Sequence, residues 1–317
     1  MSIKNNSRLK NKINFKNCSN MIFSKKVKGI LQDDIATQLA FFFLSFVVVL
    51  ILIAIFILDE NYLVGRLLLH NRNQPPTFQH PLGTNERGRD ALTVLIFATK
   101  NSVLIILFTT FISSVFGVLV GFYTGYKGGK IDDWFMGIIN IFSIIPAIIL
   151  VLMFAQVYNI FTIVNFSLTL AMFRWMDVAR LSRLTILQEK EREYVQASKT
   201  LGSSTFKIIF KRIFPNIFPT IISGVIINAT GILAIETTLS YLKSDEGVRA
   251  ILNLRFVENG FFDHATPTLG GLINPERFLI HFRGEAWAWL PATLMIILLL
   301  FSLNQLSSSI SKLKEER

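Results

Sequence analysis

Long uncharged stretches organise this chain. No charged residue lies between Asp34 and Asp59, Lys100 and Lys127, Asp133 and Arg174, Arg212 and Glu236, or Glu285 and Lys312. A helix needs about 20 apolar residues to cross a hydrocarbon core roughly 30 Å thick, and every one of these stretches is long enough. The stretch from Asp133 to Arg174 is about twice that length and is expected to fold back on itself. Gln156, Asn159 and Asn165 fall near its middle, where a turn is expected. The pattern predicts an all-α integral membrane protein of about six transmembrane helices. A soluble protein of this length would have too little remaining sequence to cover so many apolar helices. The first run, 35–58, is longer than the roughly 7–15-residue core of a signal peptide and has no small-residue cleavage pattern behind it. It is expected to remain as the first span.

Charge then orients the spans. The chain has a net charge of +11 and a mean hydropathy of +0.49. With the basic N-terminal tail in the cytoplasm, about 22 of the 32 Lys and Arg fall on the inner side. The opposite orientation reverses that bias. The excess therefore reads as membrane topology, and no nucleic-acid partner is expected. The tail's basic residues orient the first helix and are suited to rest on anionic lipid headgroups.

The expected organisation follows. A basic cytoplasmic tail (1–34) precedes the first span (35–58), and an outward loop covers 59–100. A multi-span transmembrane region (101–311) contains an inward loop within 174–212, with a distinctive part at 189–216, and an outward insertion at 243–285. A short cytoplasmic tail (312–317) follows, so both termini face inward.

The inward loop carries the clearest local pattern. Tyr194, Ala197 and Leu201 share one face at helical spacing, Gly202 ends that helix, and Ser203 or Ser204 is placed to cap the next. Ile208, Ile209 and Ile213 give the second helix an apolar face, and Pro215 is expected to stop it at the start of the fifth span. A helix–Gly–helix element with an apolar ridge suits docking into a groove on a cytoplasmic partner.

This loop resembles the EAA loop of type I ABC importer permeases, in the form shared by the dipeptide, oligopeptide and nickel subfamily. Glu193, Tyr194, Ala197, Leu201, Gly202, Ser204, Pro215 and Asn216 match its pattern, while Ser198 replaces an alanine and Phe214 a leucine. A second match, His80-Pro-Leu-Gly-Thr-Asn-Glu-Arg-Gly-Arg-Asp90, resembles the signature of the C-type permease, with Asn85 in place of an aspartate. Within it His80, Gly83, Thr84, Gly88, Arg89 and Asp90 are the candidate residues, read either as a local fold at the membrane surface or as a contact for a docking protein. Arg89 and Asp90 are placed to pair locally. Glu236-Thr-Thr-Leu-Ser-Tyr-Leu242 and Pro267-Thr-Leu-Gly-Gly-Leu-Ile273 resemble two further family segments, and Lys243–Thr266 between them is longer than the family pattern.

The resemblance implies a peptide importer permease of the bacterial cell membrane. Its implied partners are a second homologous permease, two ATP-binding subunits and an extracytoplasmic substrate-binding protein. ATP and Mg would be held by those partner subunits, with no cofactor on this chain. Glu193, Tyr194, Ala197, Ser198, Leu201, Gly202, Ser204, Phe206 and Pro215 are the residues it assigns to ATPase coupling. The same architecture also admits nickel chelates or a peptide antibiotic as cargo.

Other features are read from the residues. Gly128-Gly129-Lys130-Ile131 lacks the spacing and the Ser or Thr of a phosphate-binding loop. No paired catalytic constellation occurs, so the chain is read as non-catalytic. The single Cys18 and four scattered histidines offer no metal-ligand spacing. Ser113, Gly117, Gly121 and Gly125 recur every fourth residue, a stripe that lets another helix approach closely. Pro146 is expected to kink the third span. Glu236 borders the fifth span and has two readings: a group facing the pathway, or an anchor near the outer end of the helix. An ion-coupled secondary transporter would need more such intramembrane acids. A membrane scaffold would have no use for a docking ridge.

Overall fold

The computed structural model of the protein describes residues 35–58, 72, 74–85, 88–155, 162–244, 267–273, 287 and 289–315. Among them the regular elements are all helical. In chain order these are α1 (Ile35–Phe56), α2 (Ala91–Lys127), α3 (Gly129–Ile144), α4 (Ala147–Ala155) and α5 (Ile163–Lys190). Next come α6 (Glu193–Thr200), α7 (Thr205–Ile208), a π-helical turn (Ile209–Ile213), α8 (Phe214–Ser244), a 3-10 turn (Gly270–Leu272) and α9 (Leu290–Glu315).

Four helical stretches are long and apolar enough to span a membrane: α1, α2, α9 and the run from Thr205 to Tyr241 that includes α8. The pair α3 and α4 makes a fifth if counted as one broken span. The break falls at Pro146, which has no amide hydrogen to continue the ladder, and the two helices diverge there by 85°. The expected count of six rests on α5. That helix lies alongside α2, but Arg174, Asp177, Arg180 and Arg183 interrupt its apolar character. Residues 174–190, expected as part of an inward loop, are the second half of this helix.

Other boundaries also move. Helix α2 begins at Ala91, so the expected outward loop of 59–100 gives way to helix ten residues early. Lys100 is tolerated inside α2 because it is buried against protein, 5.1 Å from the Phe97 ring centroid. Helix α9 continues to Glu315 instead of ending at 311. Pro215 does not stop a helix: the chain passes from α7 through the π-helical turn straight into α8. Pro215 falls in the first turn of α8, where a proline is tolerated, and the Phe214 amide bonds back to the Ile209 carbonyl across the π-turn. The N-terminal tail 1–34, Gln156, Asn159 and the insertion at 245–266 lie outside the described residues.

Packing follows the small residues. Thr109 donates to the carbonyl of Ser167, 58 residues on. Gly117, Gly121 and Gly125 lie against the carbonyls of Trp175, Ala179 and Arg183, at the same separation. The constant offset makes α2 and α5 run parallel in close contact. A Cβ at Gly121 would come within 2.4 Å of the Ala179 oxygen, so backbone approach requires glycine there. Helix α1 contributes a narrow stripe, Ala40, Val47 and Ala54, at seven-residue spacing, and otherwise presents apolar side chains outward. Its Thr37 Oγ1 lies 2.9 Å from Ser309 Oγ of α9. Ser223 of α8 bonds Ser307 of α9 at 2.7 Å. The start of α1, the end of α9 and the start of α8 therefore share one end of the bundle.

Candidate coupling surface and outer motif

At that shared end the chain leaves α5 and makes the α6–α7 element. Its organising group is Glu189, 2% exposed in the last turn of α5. Glu189 Oε1 accepts from the Tyr194 hydroxyl of α6 and from Asn216 Nδ2 of α8. Its other oxygen pairs with Arg192 Nε at 3.1 Å. A buried carboxylate is costly unless its lone pairs are met, and here three donors from three segments meet them. Burial and the hydrogen bond to Glu189 push the Tyr194 phenol up to about 12, which keeps it a donor.

The element is stapled to the bundle by a second apolar cluster. Val195 of α6 and Ile208 of α7 pack with Ile186, Ile213, Ile217 and Ile221, beside Phe122 and Tyr126 of α2. Full burial of one such side chain contributes about 1.5–3 kcal/mol relative to exposure. Gly202 ends α6 with φ +71°, and the amides of Gly202 and Ser203 bond back to the carbonyls of Lys199 and Ser198. This is a Schellman turn, and the left-handed residue it needs is a glycine. Ser204 occupies the N-cap position of α7 without a side-chain capping bond.

The expected ridge is partly reassigned. Ala197 and Leu201 face outward as expected, but Tyr194 turns inward to Glu189 and Ser198 is buried, donating to the Tyr194 carbonyl at 2.8 Å. Ile208 and Ile213 are spent on the internal cluster. The open apolar surface is Leu201, Phe206 and Phe210, at 84%, 71% and 53% exposure. Phe206 and Phe210 stack with centroids 4.4 Å apart, and the four-residue ladder continues through Phe214 and Phe218. Glu193 is exposed in the first turn of α6, where a negative charge suits the helix dipole. Pro215 is exposed in the first turn of α8. The sequence reading missed Glu189 and Phe210. The phenylalanine spacing pointed to the latter, while nothing local marks Glu189 as buried.

At the opposite end residues 80–85 and 88–90 of the outer motif form a compact cap on α2. Thr84 and Asp90 make an isolated antiparallel bridge. Asp90 Oδ2 accepts from the amide and hydroxyl of Thr93, both at 2.8 Å, while Oδ1 lies 3.1 Å from His80 Nδ1. The carboxylate thus serves as N-cap and loop tie, with His80 and Thr93 among its partners. Gly83 and Gly88 have φ of +68° and +72°, and a Cβ at Gly83 would meet the Gln74 carbonyl at 2.5 Å. Thr84 and Arg89 are buried, and Asn85 Oδ1 accepts from the Arg89 amide at 2.9 Å.

Glu236 is not at a helix end. It lies within α8, fully buried, and accepts from Ser240 Oγ at 3.1 Å. Thr268 donates to Ser240, and the Leu269 amide donates to Ser102 of α2. The acid sits where α8, α2 and the 267–273 segment are tied together by hydroxyl groups. The coupling residues, the outer motif and Glu236 therefore form three separate sites.

A helical membrane bundle with a rigidly seated, apolar-ridged element at one end has the architecture of a transport permease. Residues 117–313 match the family described as binding-protein-dependent transport system inner membrane component. The chain belongs to that family. It is 28% identical over 303 residues to the oligopeptide transport system permease protein OppC of Lactococcus lactis subsp. cremoris, covering 95% of this chain and 97% of that one. It is 30% identical over 226 residues to OppC of Bacillus subtilis, covering 69% and 73%. With the dipeptide transport system permease protein DppC of B. subtilis it shares 35% identity over 170 residues, 53% and 52% of the two chains.

Proposed function

We propose that this chain is one of two transmembrane subunits of an ATP-driven importer of short peptides. The ridge of Leu201, Phe206 and Phe210 carries the reading, because it is open apolar surface on an element locked to the bundle. In this reading the ridge faces the cytoplasm and docks on an ATP-binding subunit, and ATP and Mg are held by that partner. The chain itself is non-catalytic. A second homologous permease completes the pathway, and a binding protein delivers cargo from outside. Both termini then lie in the cytoplasm of a bacterial cell, on the ridge side.

The mechanism is alternating access. ATP shifts the equilibrium between inward-open and outward-open states only through its different affinity for them. A displacement of the ridge reaches α5 and α8 directly, because Glu189 and Asn216 belong to those helices and meet at one carboxylate. The apolar cluster around Val195 keeps the element from sliding on its seat.

The test is gentle detergent purification of the tagged chain from its own membranes, with mass spectrometry of what accompanies it. A second permease and P-loop ATPases are expected, and Phe206→Asp should lose the ATPases while retaining the second permease. A chain that purifies alone under several mild detergents overturns the reading.

A further inference from the structure

Halfway along α5 lies an ion pair that neither the coupling element nor the outer motif uses. Arg174 Nη1 is 2.6 Å from Asp177 Oδ2. The register against α2 sets its depth: the Trp175 carbonyl lies at Gly117, which places Arg174 level with Phe116. That is roughly 16 Å from Lys127 and roughly 24 Å from Lys100 along the α2 axis. The pair therefore sits well inside the apolar stretch of α2, far from either charged end.

Its exposure is informative at that depth. The Asp177 side chain is 51% exposed. An open carboxylate there faces water or another polar surface, not hydrocarbon. The same face of α5 also carries Arg180 and Gln188, with the exposed Leu184 between them. Arg180 reaches Ser143 of the broken α3–α4 pair at 3.0 Å.

The guanidinium is held half-committed. It crosses from α5 to α8 and lies against Gly231, where a Cβ would come within 2.6 Å of Nη2. One corner is bonded to Asp177. Its Nε is buried and has no hydrogen-bond partner among the described residues. The Nε–Nη2 edge, the one that receives a carboxylate side-on through two parallel bonds, is closed against α8 here and becomes available only when α5 and α8 part.

We propose that Arg174 and Asp177 form a recognition site for the charged termini of a short peptide in the translocation pathway. This rests on the peptide-importer reading. Arg174 takes the α-carboxylate, and Asp177, released from Arg174, takes the α-ammonium. Exchanging one internal pair for two external ones leaves no unmatched charge once both termini are bound. It also avoids the deep trap for anions that a lone arginine would create, since passage requires binding weak enough to be left.

The test uses the complete transporter, both permeases with ATPases and binding protein, in proteoliposomes. Uptake of a tripeptide with a free carboxyl terminus is compared with uptake of its C-terminal amide, alongside ATP hydrolysis stimulated by the loaded binding protein. Arg174→Gln is expected to lower the free-to-amide uptake ratio about tenfold, the scale of a charge-assisted bond, while stimulated hydrolysis persists. Arg174→Lys should recover part of the preference. Gly231→Ala, which keeps both charges and crowds the guanidinium, should shift the ratio in the same direction and guards against a glutamine variant that fails to assemble. The double variant Arg174→Gln/Asp177→Asn separates recognition from simple pairing. Continued loss of the preference supports the site, whereas full recovery of wild-type uptake and ratio shows a structural ion pair and overturns it. An unchanged ratio in Arg174→Gln also overturns it while leaving the peptide reading intact. Absence of any peptide uptake by the wild-type transporter overturns the peptide reading, and this site with it.

Discussion

Tyr194 donates its phenolic hydrogen to the buried carboxylate of Glu189, joining the first turn of α6 to the last turn of α5. The bond explains why a tyrosine stands at the start of the ridge-bearing element although its ring does not belong to the ridge. Asn216 reaches the same oxygen from α8, so the two ends of the element close on one group.

Glu189→Ala removes the acceptor shared by Tyr194, Asn216 and Arg192. The expected cost is about 3–5 kcal/mol, the range for breaking a buried charged cluster. Tyr194→Phe should cost about 1–2 kcal/mol, since one bond is lost and the ring stays. Thermal unfolding in detergent, read by a fluorescent thiol-free probe, orders the two variants.

The ridge and its seat should separate experimentally. Leu201→Asp and Phe210→Asp are expected to leave thermal stability near wild type and abolish co-purification of the ATPases. Ala197→Glu, on the same open side, should act alike. Val195→Asp buries a charge in the cluster and should lower stability itself. Equal loss of stability in the exposed and buried variants would contradict the division between ridge and seat.

Gly202→Ala places a Cβ on a residue at φ +71° with no atom in its way. The cost should be about 1 kcal/mol, from backbone strain alone. Gly121→Ala meets the Ala179 carbonyl and should cost about 1–3 kcal/mol through overpacking between α2 and α5. Gly137→Ala, with open space around it, is the control and should be neutral or slightly stabilising.

The phenol of Tyr194 gives a pH signature. Below about pH 10 it is protonated in the folded and unfolded chain alike. Between about 10 and 12 the unfolded chain releases its proton while the folded chain retains it, so stability falls as pH rises. Melting curves at pH 9 and 11 should show a larger drop for the wild type than for Tyr194→Phe.

Much of this molecule is legible along the chain. Uncharged stretches mark the spans because the bilayer leaves no water to satisfy charge or backbone, and Gly202 marks the end of α6 because a left-handed turn excludes most side chains. The glycine stripe announces a close helix neighbour, and Asp90 before Ala91 suits a helix cap. These depend on local chemistry or on the solvent, which the sequence expresses residue by residue. The partner of each group was decided only in three dimensions. Glu189 and Asn216 lie 27 residues apart and meet because α5 and α8 share an end of the bundle. Arg174 marked the edge of an apolar stretch in the sequence, yet the register between α2 and α5 carries it well into the apolar depth, where Asp177 compensates its charge. Charge along a chain records cost. Whether that cost is met depends on which helices lie side by side, and packing between distant segments sets that.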